Sequence, residues 1–258
     1  MVGILEGSTV RTTDISRPSA EIVDGYRQLP DVAGLVARAL DQFGIAGTIP
    51  AAILGPIRPG ATVIGPALTV RNIPEREVPY RYWERTEGTR LGEREAFFVA
   101  QPGDVVVIDG SAVYPASCLG SMAVTLAGRL GVAGVVVSGA VTGVAGIRSA
   151  AIPVWARGGT TITGHHRAET VEINGPIGIE GVRVEPGDLI IADDSGVTVV
   201  PLATTGQVLD RALKMKDLGS GFKKLLQEGA DRETLRKELG DLMVALMHAP
   251  EETGKSEK

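Results

Sequence analysis

Two short stretches of this chain are built alike, and they constrain its fold more than anything else in it. Pro102-Gly103-Asp104 leads into Val105-Val-Val-Ile-Asp109, and Pro186-Gly187-Asp188 leads into Leu189-Ile-Ile-Ala-Asp193. In each, a Pro-Gly turn feeds a five-residue apolar run that ends on a carboxylate. Apolar runs of that length without alternation read as strands covered on both faces. Gly134-Val-Val-Val-Ser138 and Ile152-Pro-Val-Trp-Ala156 are two more. Between the paired devices, Gly120 to Leu130 reads as a small-residue helix. Upstream, Asp31 can cap a helix whose apolar positions Val32, Leu35, Val36, Ala39, Leu40 and Phe43 recur at helical spacing, with Gly44 and Gly47 beyond its end. Strands alternating with helices, with strand-only stretches later, give an α/β class.

Along the chain, residues 1–30 read as an N-terminal arm, with one helical turn near Ala20–Tyr26. Residues 31–202 read as one α/β domain, and 203–258 as a C-terminal helical extension with a charged tail. Ala61 to Val70 is a strand pair, or one strand kinked at Gly65-Pro66. The polar insertion at 71–94 holds eleven Arg or Glu residues with Tyr80, Tyr82 and Trp83, and is either a solvated loop or a functional contact. A formal charge of -5 without a clustered basic face argues against nucleic acid. No apolar run approaches the roughly 20 residues a membrane helix needs, so a cytoplasmic protein without membrane contact is expected. The single cysteine, Cys118, excludes a disulfide framework and a multi-cysteine metal site. It reads as a small core residue more readily than as a nucleophile.

The common nucleotide, metalloprotease and serine-hydrolase motifs are absent. Of the histidines, His165 and His166 lie in a loop-like stretch between strands, where one of them could transfer a proton or ligate a metal. Adjacent residues of an extended chain face opposite ways, so both serving one site is not expected. His248, near the tail, carries little weight. Leu119-Gly120-Ser121-Met122-Ala123 opens a helix with small residues, whose free N–H groups suit a carboxylate or phosphate; a plain Ser N-cap is the alternative. Arg148 and Arg157 flank a strand and could clamp a carboxylate, or be paired within the chain.

The order of these blocks resembles the RraA-like family. The blocks are Gly65-Pro-Ala-Leu-Thr-Val70, Gln101 to Gly110, Gly131 to Val137, Ile152 to Arg157, Pro186 to Asp194 and Gly196 to Pro201; the match runs from Val32 to Pro201. That family includes 4-hydroxy-4-methyl-2-oxoglutarate aldolases, oxaloacetate decarboxylases and the regulator of ribonuclease E activity. The resemblance implies a swivelling β/β/α fold, assembled as a homotrimer or hexamer, with a pocket between subunits for a small-molecule carboxylate. It also implies Mg2+ or Mn2+, and cleavage of 2-oxo acids through a pyruvate enolate. The family pocket combines a Gly-x-Leu-Leu helix start with an Asp-Gly-x-x-Arg-Asp turn, whose Arg holds the enolate and whose Asp holds the metal through water.

At that turn this chain reads Ser138-Gly139-Ala140-Val141-Thr142-Gly143, so Thr142 and Gly143 stand where the Arg and Asp are expected, and Ser121 stands at the often acidic helix position. A single preorganised donor is worth roughly 3 kcal/mol to a developing oxyanion, and hard cations require oxygen ligands. No metal ligand is therefore assigned. The expectation is a divergent enzyme acting on a small carboxylate or 2-oxo acid. Its catalytic candidates are His165, His166, Arg148 and Thr142, and its substrate-binding candidates are Gly120, Ser121, Met122, Thr142 and Arg157. Replacement groups could also come from the insertion, where Glu93, Arg94 and Glu95 lie. A non-catalytic binding or regulatory protein is the first alternative, and a metal-dependent 2-oxo-acid lyase using Arg148 the second.

Overall fold

A computed structural model of the chain describes residues 9–76 and 89–247. The middle of the polar insertion, with Tyr80, Tyr82 and Trp83, lies outside these residues, as do His248 and the tail. The parallel heart of the sheet is formed by β3 (Val63–Pro74), β4 (Val105–Asp109), β6 (Gly134–Thr142) and β7 (Val154–Gly159). Their Val and Ile runs are buried on both faces. β3 is one strand that changes partner at the Gly65-Pro66 kink. Up to Pro66 it runs antiparallel to β11 (Leu189–Asp193), and from Ala67 it runs parallel to β4. Beyond β11 the order continues through β12 (Gly196–Val200) to β1 (Thr48–Pro50); β2 (Gly55–Pro56) closes the other edge beside β7. β5 (Ser117–Gly120) and β8 (Ala168–Ile173) pair off this path with β6 and β3. Trp155 of β7 donates its indole N–H to the Asp193 carbonyl at 2.9 Å, so the sheet curls into a nearly closed barrel.

Period two decides what each face carries. On β4, Val106 and Ile108 join the core under α3 (Glu93–Val99) and α4 (Ser121–Arg129), whereas Val105 and Val107 point to the hairpin of β9 (Ile177–Ile179) and β10 (Val182–Val184). A third core joins β11 and β12 to α1 (Ala20–Arg27), α2 (Val32–Gln42) and α6 (Thr205–Gln227); α7 (Arg232–Met247) follows α6. Part of the expected arm is thus a packed two-turn helix: Tyr26 is fully buried and donates to the Thr205 carbonyl at 2.7 Å. Residues 71–74, read as insertion, extend β3, and Glu93-Arg94 open α3.

The two Pro-Gly-Asp devices match in detail. Gly103 and Gly187 take φ of +96° and +92°, a region that favours glycine. Asp104 then accepts from the Gln101 N–H, and Asp188 from the Glu185 N–H, each at 2.8 Å. Asp31 departs from its expected role. It sits at the N-cap of α2 in a left-handed conformation with no side-chain bond, and Asp193 caps instead, accepting from the Ala33 N–H at 3.1 Å.

Candidate functional site

The parallel strands all end on one side, where ligands of open α/β sheets collect. Two arrangements meet there. The first is the helix start. β5 ends at Gly120, whose register partner is Thr142 at the end of β6. Gly120 is the N-cap of α4 and carries no capping side chain, so Ser121 is the first helical residue rather than the cap. With no side-chain cap from Gly120, the opening N–H groups of α4 can take an outside acceptor. Thr142 is half-buried beside them, while Met122 is 80 % exposed and points to solvent.

Gly143, the N-cap of α5 (Val144–Ser149), is left-handed at φ +72°. A Cβ added there would lie 2.7 Å from Ser121 Oγ and 3.1 Å from Ser121 Cβ. The turn has closed onto Ser121, and a carboxylate at 143 would need that contact to open. Two hydroxyls and a glycine do not fit a hard divalent cation. Among the described residues, no three His, Cys, Asp or Glu side chains gather closely enough to hold a metal ion. Arg148, the expected substitute, makes its side-chain bond away from this turn. It lies about 7 Å along α5 from the turn, and its Nε donates to the Ile57 carbonyl at 3.1 Å.

The second arrangement follows from alternation. Asp109, Ser138 and Arg157 extend the rows Val105–Val107, Val136 and Trp155, and so emerge side by side on the hairpin-facing surface at the strand ends. Arg157 is already paired. Its Nε donates to Glu180 Oε1 at 2.7 Å and its Nη2 to Oε2 at 2.8 Å. Ser138 Oγ donates to the same Oε1 at 2.6 Å, and the Tyr114 ring centroid lies 5.2 Å from the guanidinium carbon. Burial pushes the Glu180 carboxyl up, but the Arg157 and Ser138 bonds together hold it below its ordinary value. Asp109 accepts from the Ser111 hydroxyl at 2.7 Å and N–H at 3.1 Å.

Titratable groups surround the start of β5. Loop 160–166 runs beside it, with the Ser117 N–H donating to the Ile162 carbonyl at 2.9 Å. His165 is exposed and His166 buried. Partial burial, then Arg94 and His166, hold the His165 pKa below its usual value. Glu93, at the start of α3, is only 5 % exposed, and its Oε2 has no hydrogen-bond partner among the described residues. Burial raises its pKa to about 7, against smaller opposing effects of its own N–H and Arg94. Cys118, fully packed, is pushed up to about 12 by burial, and its thiol is no nucleophile at neutral pH. Glu180 had no local signal in the sequence. Asp109 and Ser138 did, because each closes an apolar run with a polar residue.

Comparison with known proteins agrees with this architecture. The RraA-like model, described as Aldolase/RraA, matches residues 19–199. A candidate 4-hydroxy-4-methyl-2-oxoglutarate aldolase of Halalkalibacterium halodurans is 31% identical over 201 residues, covering 78% of this chain and 86% of that protein. Among solved structures, an uncharacterized protein of Pseudomonas syringae superposes with a TM-score of 0.71 at 23% identity, over 86% of this chain and 100% of that one. Streptomyces coelicolor RraAS2, described as an unusual member of the RNase ES inhibitor RraA protein family, gives 0.68 at 26% identity, over 81% of this chain and 99% of that one.

Proposed function

Because the chain belongs to the RraA-like family, we propose that it binds a small carboxylate or 2-oxo acid at the α4 N-terminus and acts on it without the arginine and metal of the aldolase turn. The observation that carries this reading is the pairing of an uncapped helix start with Thr142-Gly143. The opening N–H groups of α4 and the Thr142 hydroxyl would hold a carboxylate, and Ser121 stands beside them. With no charged oxyanion clamp at this turn, chemistry rests on proton transfer. His165, whose pKa is held below its usual value by partial burial, is the exposed base, and Glu93 is a second group that titrates near neutrality. A homotrimer or hexamer in the cytoplasm is part of the same proposal. Among the described residues, no helix is long and apolar enough to cross a membrane.

A panel of 2-oxo acids, including oxaloacetate, assayed with and without chelator, tests the reading. Turnover that survives chelation and falls on His165→Ala is the expected result. Turnover abolished by chelator would instead identify a metal-dependent lyase. The second reading, a binding or regulatory protein, is favoured by the closure of Gly143 on Ser121 and by the internal pairing of Arg157. Carboxylate binding without turnover across the panel would establish it.

A further inference from the structure

The hairpin of β9 and β10 turns on two residues, Glu180 and Gly181, both at positive φ (48° and 82°). A two-residue turn of this kind favours Asn-Gly or Gly-Gly, and a glutamate at the first position is conformationally costly. Here the strain comes with a specific placement. Ile177, Ile179, Val182 and Val184 anchor the hairpin in the core, and the Glu180 carboxylate is laid across the strand ends onto Arg157 and Ser138. A bidentate guanidinium, a hydroxyl donor and an aromatic wall make the geometry of a carboxylate-binding site.

We propose that Arg157, Ser138 and Tyr114 form a second carboxylate site, and that Glu180 is its resident occupant, displaced when a small dicarboxylate enters. This rests on the small-carboxylate reading above and adds a site distinct from the α4 N-terminus. Access follows from exposure: Tyr114 is half-exposed and the Arg157 side chain retains 29%, whereas the Glu180 side chain retains 9%. Glu180 takes both the Nε and Nη2 donors of Arg157, so the site holds either Glu180 or a ligand carboxylate, with Asp109 nearby. Displacement needs only a rotation of the Glu180 side chain outward, with the hairpin left in place.

Malonate, an unreactive dicarboxylate, serves as the probe in calorimetric titration of the full chain. Glu180→Gly suits the left-handed turn and removes the occupant. It should tighten malonate binding by about tenfold or more, because the competing internal state disappears. Glu180→Gln, which keeps the side-chain length but loses the charge, should give a smaller gain and guards against a folding defect. The gain should vanish in the Glu180→Gly/Arg157→Met double variant. Equal malonate affinity in wild type and both Glu180 variants would overturn the proposal, leaving a structural ion pair. So would a gain that survives the loss of Arg157. If the gain is instead lost on Thr142→Val, malonate sits at the helix start, and this inference fails while the functional reading stands. An Arg157-dependent gain in a protein inert to every 2-oxo acid would keep this site and remove that reading.

Discussion

Individual side chains carry the clearest pH signature. Glu93 has a folded pKa near 7 against an ordinary value of 4.5, because burial disfavours its charge. Protonation therefore favours the folded state. Stability is full below about pH 4.5, is lost as pH rises to about 7, and is flat above that. The loss amounts to at most about 3.5 kcal/mol, since one pKa unit is worth about 1.4 kcal/mol. Glu93→Gln should remove this slope and raise the melting temperature at pH 8, while matching wild type near pH 4.5; thermal melts across that range check it. Glu180 behaves in the opposite sense. Its depressed pKa stabilises the fold above the ordinary value of 4.5, and that contribution disappears as pH falls through the folded value. Tyr26→Phe should cost about 1–3 kcal/mol, because the Thr205 carbonyl loses its buried donor. Denaturant midpoints measure it. Much of this scale was hidden in the sequence. Arg157 drew notice as a flanking charge, but its partner stands 23 residues away at a hairpin tip, where only the folded chain brings them together.

Elements were more legible, because periodicity and turn chemistry act locally. The repeated Pro-Gly-Asp turns and their strands are present as read. The Gly65-Pro66 kink is a single strand exchanging an antiparallel neighbour for a parallel one. Long-range substitution of a local role defeated the reading at α2. Asp31 has the right residue type for a cap, but Asp193, 160 residues away, reaches the helix start first. The α4–α5 junction offers a test at this scale. Gly143→Ala should destabilise by about 1–2 kcal/mol, from left-handed strain and the contact with Ser121. Adding Ser121→Gly should recover part of the loss, and a double-mutant cycle of unfolding free energies would show the coupling. Purely additive effects would mean that the two turns do not touch in solution.

Across the whole fold, the described residues form three cores around one sheet, and the third depends on residues beyond the family match. Val208, Leu209, Ala212 and Met215 of α6 cover the face that Tyr26, Leu40 and Leu189 present. A chain ending at Pro201 should lose its cooperative melt. One ending at Glu228, which keeps α6 and drops α7, should retain it, because the distal helix carries mostly exposed residues. Circular dichroism of the two truncations distinguishes them. The arm adds a subtler dependence. Arg17 grips Asp104 with two bonds of 2.8 Å, and Asp104 is 1 % exposed. A proteolytic nick just after Arg17 would therefore unclasp the guanidinium and strand a negative charge beneath the first repeat turn. Damage inflicted near the amino terminus would be felt at the foot of β4, the strand whose far end carries Asp109.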